Sequence, residues 1–249
     1  MSGHSKWATI KHKKAATDAK RGAAFTKIIR ELTAVARAGG GNPENNPALR
    51  TVINRAREMN MPSNNIDNAI KKGTGELPGV SYDEVVFDAY GPGGVALLIY
   101  GLTDNKNRTT AEIRNILSKK NGSMAGPGST SFLFTKKGFI SVEKDKISED
   151  DLMDIVLEAG AEDIQGEGQY HEITSDPASL EDIKEALKAK NIDTVAAEVT
   201  MIPSSTVKVV GNDAKQLLGL MEVLEEHEDV QNVYANFDIP DDEMEKISG

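Results

Sequence analysis

Residues 139–201 read FISVEKDKISEDDLMDIVLEAGAEDIQGEGQYHEITSDPASLEDIKEALKAKNIDTVAAEVTM. Along this segment the apolar repeat alternates between the two-residue period of strands and the three-to-four-residue period of helices. It predicts a strand, a helix, two strands, a helix and a strand, over 139–143, 149–159, 162–165, 169–174, 178–190 and 195–201. This βαββαβ order is that of a ferredoxin-like unit.

The segments on either side of this unit each predict part of a second α+β domain. In chain order they predict strands over 84–90 and 95–100, a helix over 106–120, a strand through Phe132 and Phe134, a strand over 206–210, a helix over 213–226 and a strand over 230–237. Neither part is a complete sheet with its covering helices. We therefore expect residues 82–135 and 204–239 to form one discontinuous domain, with the ferredoxin-like unit, 136–203, inserted into it.

The amino-terminal third of the chain predicts only helices. In residues 15–38 apolar side chains such as Phe25, Ile28 and Leu32 recur at helical spacing, and three glycines at 39–41 end the helix. Asn46 and Pro47 are typical of the start of a second helix, and Pro62 of a third. The predicted fold class is thus multidomain α and α+β: a helical bundle over 1–76 and two α+β domains, the third ferredoxin-like and inserted in the second.

Charge divides the chain in two. Through Gly75 there are 14 basic and 5 acidic residues, whereas the remainder has 15 and 34, so a net charge of -10 hides a basic amino-terminal domain. The distant acidic part is largely screened beyond a Debye length of about 10 Å, so it does not prevent polyanion binding. With no cysteine, no long apolar segment and no secretory leader pattern, we expect a cytoplasmic protein without disulfides or membrane spans.

Two stretches of the bundle carry the predicted nucleic-acid site. The first is the acid-free tail 3–14, where lysines suit phosphates and Trp7 can stack on a base; for Trp7 alone, packing against the bundle is the favoured interpretation. The second is the helix face opposite Ile28 and Leu32, and basic residues in the next two helices continue it. The predicted set is Lys6, Trp7, Lys11, Lys13, Lys14, Lys20, Arg21, Lys27, Arg30, Arg37, Lys71 and Lys72.

A possible second anion site lies where a strand feeds a helix. It comprises Asn105, Lys106, Asn107, Arg108 and Thr109. Free amides at a helix amino terminus bind anions, and two basic side chains add charge. The alternative is purely structural, with these residues and Asp104 serving the helix cap, and the sequence does not separate the two.

Nothing in the sequence predicts catalysis or a cofactor. The glycine-rich segments 91–94 and 126–128 lack the lysine and hydroxyl of a P-loop and are interpreted as tight turns. The four histidines form no metal-ligand pattern, and Glu225 with Glu226 is interpreted as a solvated helix end rather than as an acid–base pair. We expect a protein that is not an enzyme and holds neither metal nor cofactor.

Longer motifs resemble the YebC family of bacterial and organellar proteins. They are GHSKW at 3–7, FTKIIREL at 25–32, NMP at 60–62, AIKKG at 69–73, YGPGGVA at 90–96, TDN at 103–105 and NRT at 107–109. The resemblance implies three domains, the third inserted in the second. One departure is Phe87-Asp88-Ala89, where an acidic residue followed by glycine is expected.

The resemblance also implies a function in gene expression. Family members are described as probable DNA-binding transcriptional regulators, mitochondrial relatives resemble translational activators, and bacterial ones are linked to ribosomes stalled on proline-rich sequences. We therefore expect a nucleic-acid-binding regulator that acts on DNA. The alternative is a translation factor that binds ribosomal or transfer RNA, or the ribosome itself. A small-molecule-binding or enzymatic α+β protein is a distant third, and a monomer is favoured over an oligomer.

Overall fold

The computed structural model describes residues 18–240, 243, 244 and 247. Its first unit is a bundle of helices α1 (Asp18–Gly39), α2 (Pro47–Glu58) and α3 (Ser63–Thr74). Asn46 caps α2 by accepting a hydrogen bond from the Leu49 amide at 3.1 Å. The apolar faces meet in a core that includes Leu32, Leu49 and Ile66. A glycine is required at position 73, because a Cβ there would lie 2.5 Å from the Thr33 carbonyl oxygen.

The second unit is a four-stranded antiparallel sheet covered by helices on one face. Its strands are β1 (Asp83–Tyr90), β2 (Ala96–Thr103), β3 (Ser123–Met124) and β9 (Val230–Ala235), in the order β3-β1-β2-β9. The covering helices are α4 (Lys106–Lys119) and α7 (Gly211–Glu226). Together they bury the largest apolar core of the described residues, around Leu97, Ile113 and Leu217. Beside it, β8 (Val207–Lys208) pairs in parallel with β10 (Phe237–Asp238).

The third unit interrupts the second between β3 and β8. It consists of β4 (Phe134–Glu143), α5 (Glu149–Glu158), β5 (Ala161–Glu167), β6 (Tyr170–Ser175), α6 (Leu180–Ala189) and β7 (Ala196–Pro203). The antiparallel order β5-β6-β4-β7 is ferredoxin-like, so the predicted fold class is confirmed. Ile140, Val156 and Ile183 lie in its core. The predicted residue ranges of the three domains stay a prediction.

Two predicted strand boundaries are wrong. The sequence predicts two strands within residues 132–143, but a 3-10 turn at Ser131–Leu133 leads directly into the single strand β4, which joins the two sheets through an apolar contact of Phe134 with Leu98. The predicted last strand is broken at Asn236, because its side chain accepts from the Ala96 amide at 2.7 Å and donates to the Ser205 carbonyl at 3.2 Å. Within the described ranges, no helix combines the length and apolar character that a membrane span requires.

Candidate nucleic-acid interface

Much of the predicted tail site lies outside the residues that the structure describes. This applies to Lys6, Trp7, Lys11, Lys13 and Lys14. For Lys20 and Arg21 the structure describes the helical backbone of α1 only. Their part in nucleic-acid binding stays a prediction.

Basic residues gather on one side of the bundle, where the carboxyl-terminal ends of α1 and α3 lie together and a cleft joins them to α2. The last turns of α1, α2 and α3 carry Arg37, Arg57, and Lys71 with Lys72. Helix α3 packs closely on α1 there, because a Cβ at Gly73 would lie 3.2 Å from the Arg37 amide nitrogen. Arg57 and Lys71 line one cleft next to the loop that follows α1. We call these four residues the basic end of the bundle.

The side chains of the basic end have no counter-ions among the residues that the structure describes. All four residues are exposed, and no carboxylate among the described residues lies within ion-pair distance of them. Asp67 and Glu76 line the same cleft, so its charge is mixed, but neither makes such a pair. Cations at helix carboxyl termini are also stabilised by the helix dipole, which accounts for their position without any ligand. Because no ion pair has to break, they are available to phosphate groups.

Two other predicted residues, Lys27 and Arg30, connect the bundle to the acidic part of the chain. Lys27 Nζ donates to the Glu225 carbonyl oxygen at 2.5 Å. Arg30 pairs with Asp229 and with Glu228, the latter at 3.1 Å, and its guanidinium lies 5.4 Å from the centre of the Tyr82 ring. The Arg30 side chain is only 12% exposed. Both positive charges are therefore committed to intramolecular contacts.

Asp229 is the centre of this junction. Its side chain is 3% exposed and accepts from Arg30, from Arg108 at 2.7 Å and from the Thr109 hydroxyl at 2.6 Å. Burial alone raises the pKa of Asp229, but the hydrogen bonds from Thr109, Arg108 and Arg30 outweigh it and hold the pKa well below its usual range. The carboxylate stays ionised and joins α1, α4 and the turn before β9.

The predicted second anion site faces this carboxylate. The side chain of Asn105 caps α4 by accepting from the Arg108 amide at 3.1 Å, and Thr109 is buried with its hydroxyl on Asp229. Lys106 lies 3.5 Å from Asp83, while Asn107 is exposed. Hydrogen bonds to Asp229 and Asp104 raise the pKa of Arg108 above its already high value. The basic side chains are thus paired with acids, and anion binding here stays a prediction.

Glu112, His227 and Asp229 bring potential metal-ligand atoms within 4.8 Å of one another. The potential ligand atoms of His227 already have hydrogen-bond partners. Nδ1 accepts from the Asp229 amide at 3.1 Å, and Nε2 therefore donates to Glu112 at 3.0 Å. Arg30 and Arg108 supply the positive charge that a cation would bring to Asp229. These residues fit a structural network rather than a metal centre.

Comparison with known protein families assigns the chain to one family. Residues 5–76 match the model described as the TACO1/YebC protein N-terminal domain, and residues 82–237 match the one described as the TACO1/YebC second and third domain. The chain belongs to the TACO1/YebC family. The resemblance found in its sequence motifs is confirmed.

Relatives in the TACO1/YebC family match over the full length. A probable transcriptional regulatory protein of Geobacter sulfurreducens is 51% identical, with 99% of this chain and all of the relative covered. One of Syntrophus aciditrophicus is 53% identical over the whole of both chains. Among solved structures, a conserved hypothetical protein of Aquifex aeolicus has a TM-score of 0.82 at 45% identity, covering 95% of this chain and 98% of that one.

Sequence reasoning about this TACO1/YebC chain misses the acceptors of Lys27 and Arg30. The pattern around Glu225 indicates a solvated helix end, but the Glu225 carbonyl oxygen accepts a hydrogen bond from Lys27. Asp229 carries no motif and is separated from Arg30 by 199 positions, so only the folded chain brings them together. The one local signal is an acidic residue placed directly before an apolar strand, where a carboxylate is seldom free of a partner if buried.

Proposed function

We propose that this protein is a nucleic-acid-binding regulator of gene expression that acts on DNA and contacts it through the basic end of the bundle. The observation that supports the proposal is a set of four exposed cations from three helices, Arg37, Arg57, Lys71 and Lys72, that have no carboxylate partner among the described residues. Such a cluster displaces condensed counter-ions from a phosphate backbone, which is the main source of affinity for nucleic acid. In this proposal the tail lysines, Lys6, Lys11, Lys13 and Lys14, supply further phosphate contacts.

Lys27 and Arg30 have a different part in the proposed function. They attach the bundle to the acidic body, and Asp229 fixes the orientation of the two relative to each other. In this arrangement the basic end faces the nucleic acid. Phosphate contacts fix position and orientation but carry no sequence information by themselves. Target choice then comes from DNA shape or from a partner protein.

The test compares the wild type with the R37Q/R57Q/K71Q/K72Q variant in anisotropy titrations of labelled duplex DNA at several salt concentrations. We expect the slope of log affinity against log salt to fall by about 0.9 for each phosphate that is no longer neutralised, and the affinity to drop at least about tenfold near 0.1 M salt. The matched control is K188Q/K190Q, which removes two exposed lysines near the end of α6, and it should bind like the wild type. An unchanged slope in the quadruple variant contradicts the proposal.

A translation factor is the second candidate. The four cations come from the ends of three helices rather than from one helix face that fits a major groove. Folded RNA is recognised largely by shape and by phosphate, which suits such an arrangement. Crosslinking in cells followed by sequencing of the bound nucleic acid separates the candidates, because enrichment of ribosomal or transfer RNA over genomic DNA overturns the promoter-binding proposal.

A further inference from the structure

A second basic segment lies within the acidic body of the protein. Residues 113–137 contain five basic residues and no acidic one, whereas the chain beyond Gly75 has 34 acidic residues against 15 basic ones. Of the five, Arg114, Lys119, Lys120 and Lys136 are exposed and form no ion pair with any described residue. Lys137 is neutralised by Glu162 at 2.5 Å. The segment is therefore a basic stretch within the acidic part of the chain.

An exposed aromatic ring stands in the middle of this segment. The side chain of Phe132 is 73% exposed, more than any other large hydrophobic residue that the structure describes as exposed. Single exposed apolar side chains are common on protein surfaces, so exposure alone identifies no site. What distinguishes Phe132 is the rigid support beneath it and the charge around it.

The support is a loop held by the buried carboxylate of Asp88. Asp88 accepts hydrogen bonds from the amides of Gly128, Thr130 and Ser131 at 3.1, 2.8 and 2.7 Å. Burial opposes the ionised form, but these bonds, together with the Thr130 hydroxyl, lower the pKa of Asp88 below its ordinary value. Because the loop is ordered by a permanent charge, little conformational entropy remains to be lost when Phe132 binds a ligand.

A second aromatic side chain contacts the same loop. Tyr90 follows Asp88 by two positions and so shares its face of β1. Its hydroxyl group donates to the Ser129 carbonyl at 3.4 Å, while its side chain remains partly exposed. On the adjoining edge strand, Ser123 pairs with Tyr90, and Met124 accepts a long hydrogen bond from Arg114 at 3.8 Å. Tyr90, Phe132 and Arg114 therefore lie at one short loop and its edge strand. Along the chain, Lys119 and Lys120 come just before this strand, and Lys136 comes just after the loop.

We propose that this loop surface, formed by Tyr90, Arg114, Lys119, Lys120, Phe132 and Lys136, is a second contact that binds unpaired nucleotides of the nucleic acid held by the bundle. The proposal rests on the proposed function. Exposed aromatic rings that stack on bases, combined with cations that follow the phosphates, are how single strands are bound without sequence preference. The unpaired cations of 113–137 favour an anionic occupant, and the exposed Phe132 ring favours one that carries bases as well as phosphates.

The first experiment titrates the full-length protein with a single strand of about 20 nucleotides, as DNA and as RNA, and with duplex DNA. We expect F132A to weaken single-strand binding about fivefold or more without changing the salt slope, and F132Y to restore it. K119Q/K120Q should lower the single-strand slope by about 0.7 for each phosphate that is no longer neutralised. K188Q/K190Q and V210A, which alter exposed residues elsewhere, are the matched controls.

A spectroscopic readout separates direct stacking from a structural effect. The chain has one tryptophan, Trp7, so W7F/F132W carries a single tryptophan at the loop surface. Base stacking on this residue should quench its fluorescence during a single-strand titration. No quenching in a variant that still binds overturns the proposal.

The remaining outcomes distinguish the two proposals. If R37Q/R57Q/K71Q/K72Q abolishes binding while F132A binds single strands like the wild type, the bundle contact stands and the loop surface is rejected. If the wild type binds neither duplex nor single strand, both are rejected. If F132A leaves binding unchanged but converts a dimer into a monomer in light scattering, the occupant of the loop surface is a second copy of the chain, and the nucleotide proposal is overturned.

Discussion

Arg30 and Arg37 lie on the same helix and belong to the same sequence pattern, yet the fold gives them opposite surroundings. Arg30 is almost buried between the bundle and the body, on Asp229, whereas Arg37 is exposed at the basic end with no carboxylate partner among the described residues. The helical repeat places both opposite the apolar stripe of α1 but says nothing about what packs on that side. A basic helix face can thus combine a structural junction with a ligand surface.

The largest effect that tests this difference is expected at Asp229. D229N removes the buried carboxylate that pairs with the nearly buried Arg30 and with Arg108, so the free energy of unfolding should fall by about 3–5 kcal/mol. Urea denaturation followed by circular dichroism measures it. The control is E228Q, because Glu228 also pairs with Arg30 but its side chain is 80% exposed, and its loss should cost less than about 1 kcal/mol. Equal effects of the two variants contradict the assignment of Asp229 as the centre of the junction.

The same carboxylate predicts how stability changes in acid. The pKa of Asp229 is depressed in the folded state, so the unfolded chain takes up its proton first as the pH falls. The stabilisation is complete above the unfolded value of about 3.9 and is lost as the pH falls towards the folded one. The difference in unfolding free energy between the wild type and D229N should therefore be constant from pH 7 to about 5 and shrink below about pH 4. A difference that shrinks already between pH 7 and 6 contradicts the assignment of this pH dependence to Asp229.

The smallest effects come from the two arginines themselves. R30Q removes one of two guanidinium partners of Asp229 and should lower the free energy of unfolding by about 1–3 kcal/mol, while R37Q should change it by less than about 0.5 kcal/mol. Nucleic-acid affinity should show the reverse order, with the larger decrease in R37Q. Denaturation and anisotropy titration of the same two preparations measure both. If R37Q is the destabilised variant, the roles of the two arginines are exchanged.

Much of the fold follows from local pattern. The spacing of Phe25, Ile28 and Leu32 and the cap at Asn46 predict the bundle, and the periodicity of 139–201 predicts the ferredoxin-like unit, because burial of one face dictates both repeats. The errors occur where a side chain replaces a backbone partner, as Asn236 does at the end of β9. The apolar periodicity of a sequence does not indicate where a side chain takes the place of a backbone hydrogen-bond partner.

The candidate site, like the fold, has features that the sequence predicts and others that it does not. The sequence alone determined that positive charge is concentrated in the bundle and that exposed basic residues lie at the ends of its helices, since composition and helical phase are local properties. Only the tertiary structure decided which of these charges are free, because an ion pair such as Arg30–Asp229 depends on packing between distant segments. It also decided that the loop carrying Phe132 is fixed by Asp88, 40 or more positions away. Burial of a carboxylate requires partners, and only the folded chain determines which residues supply them.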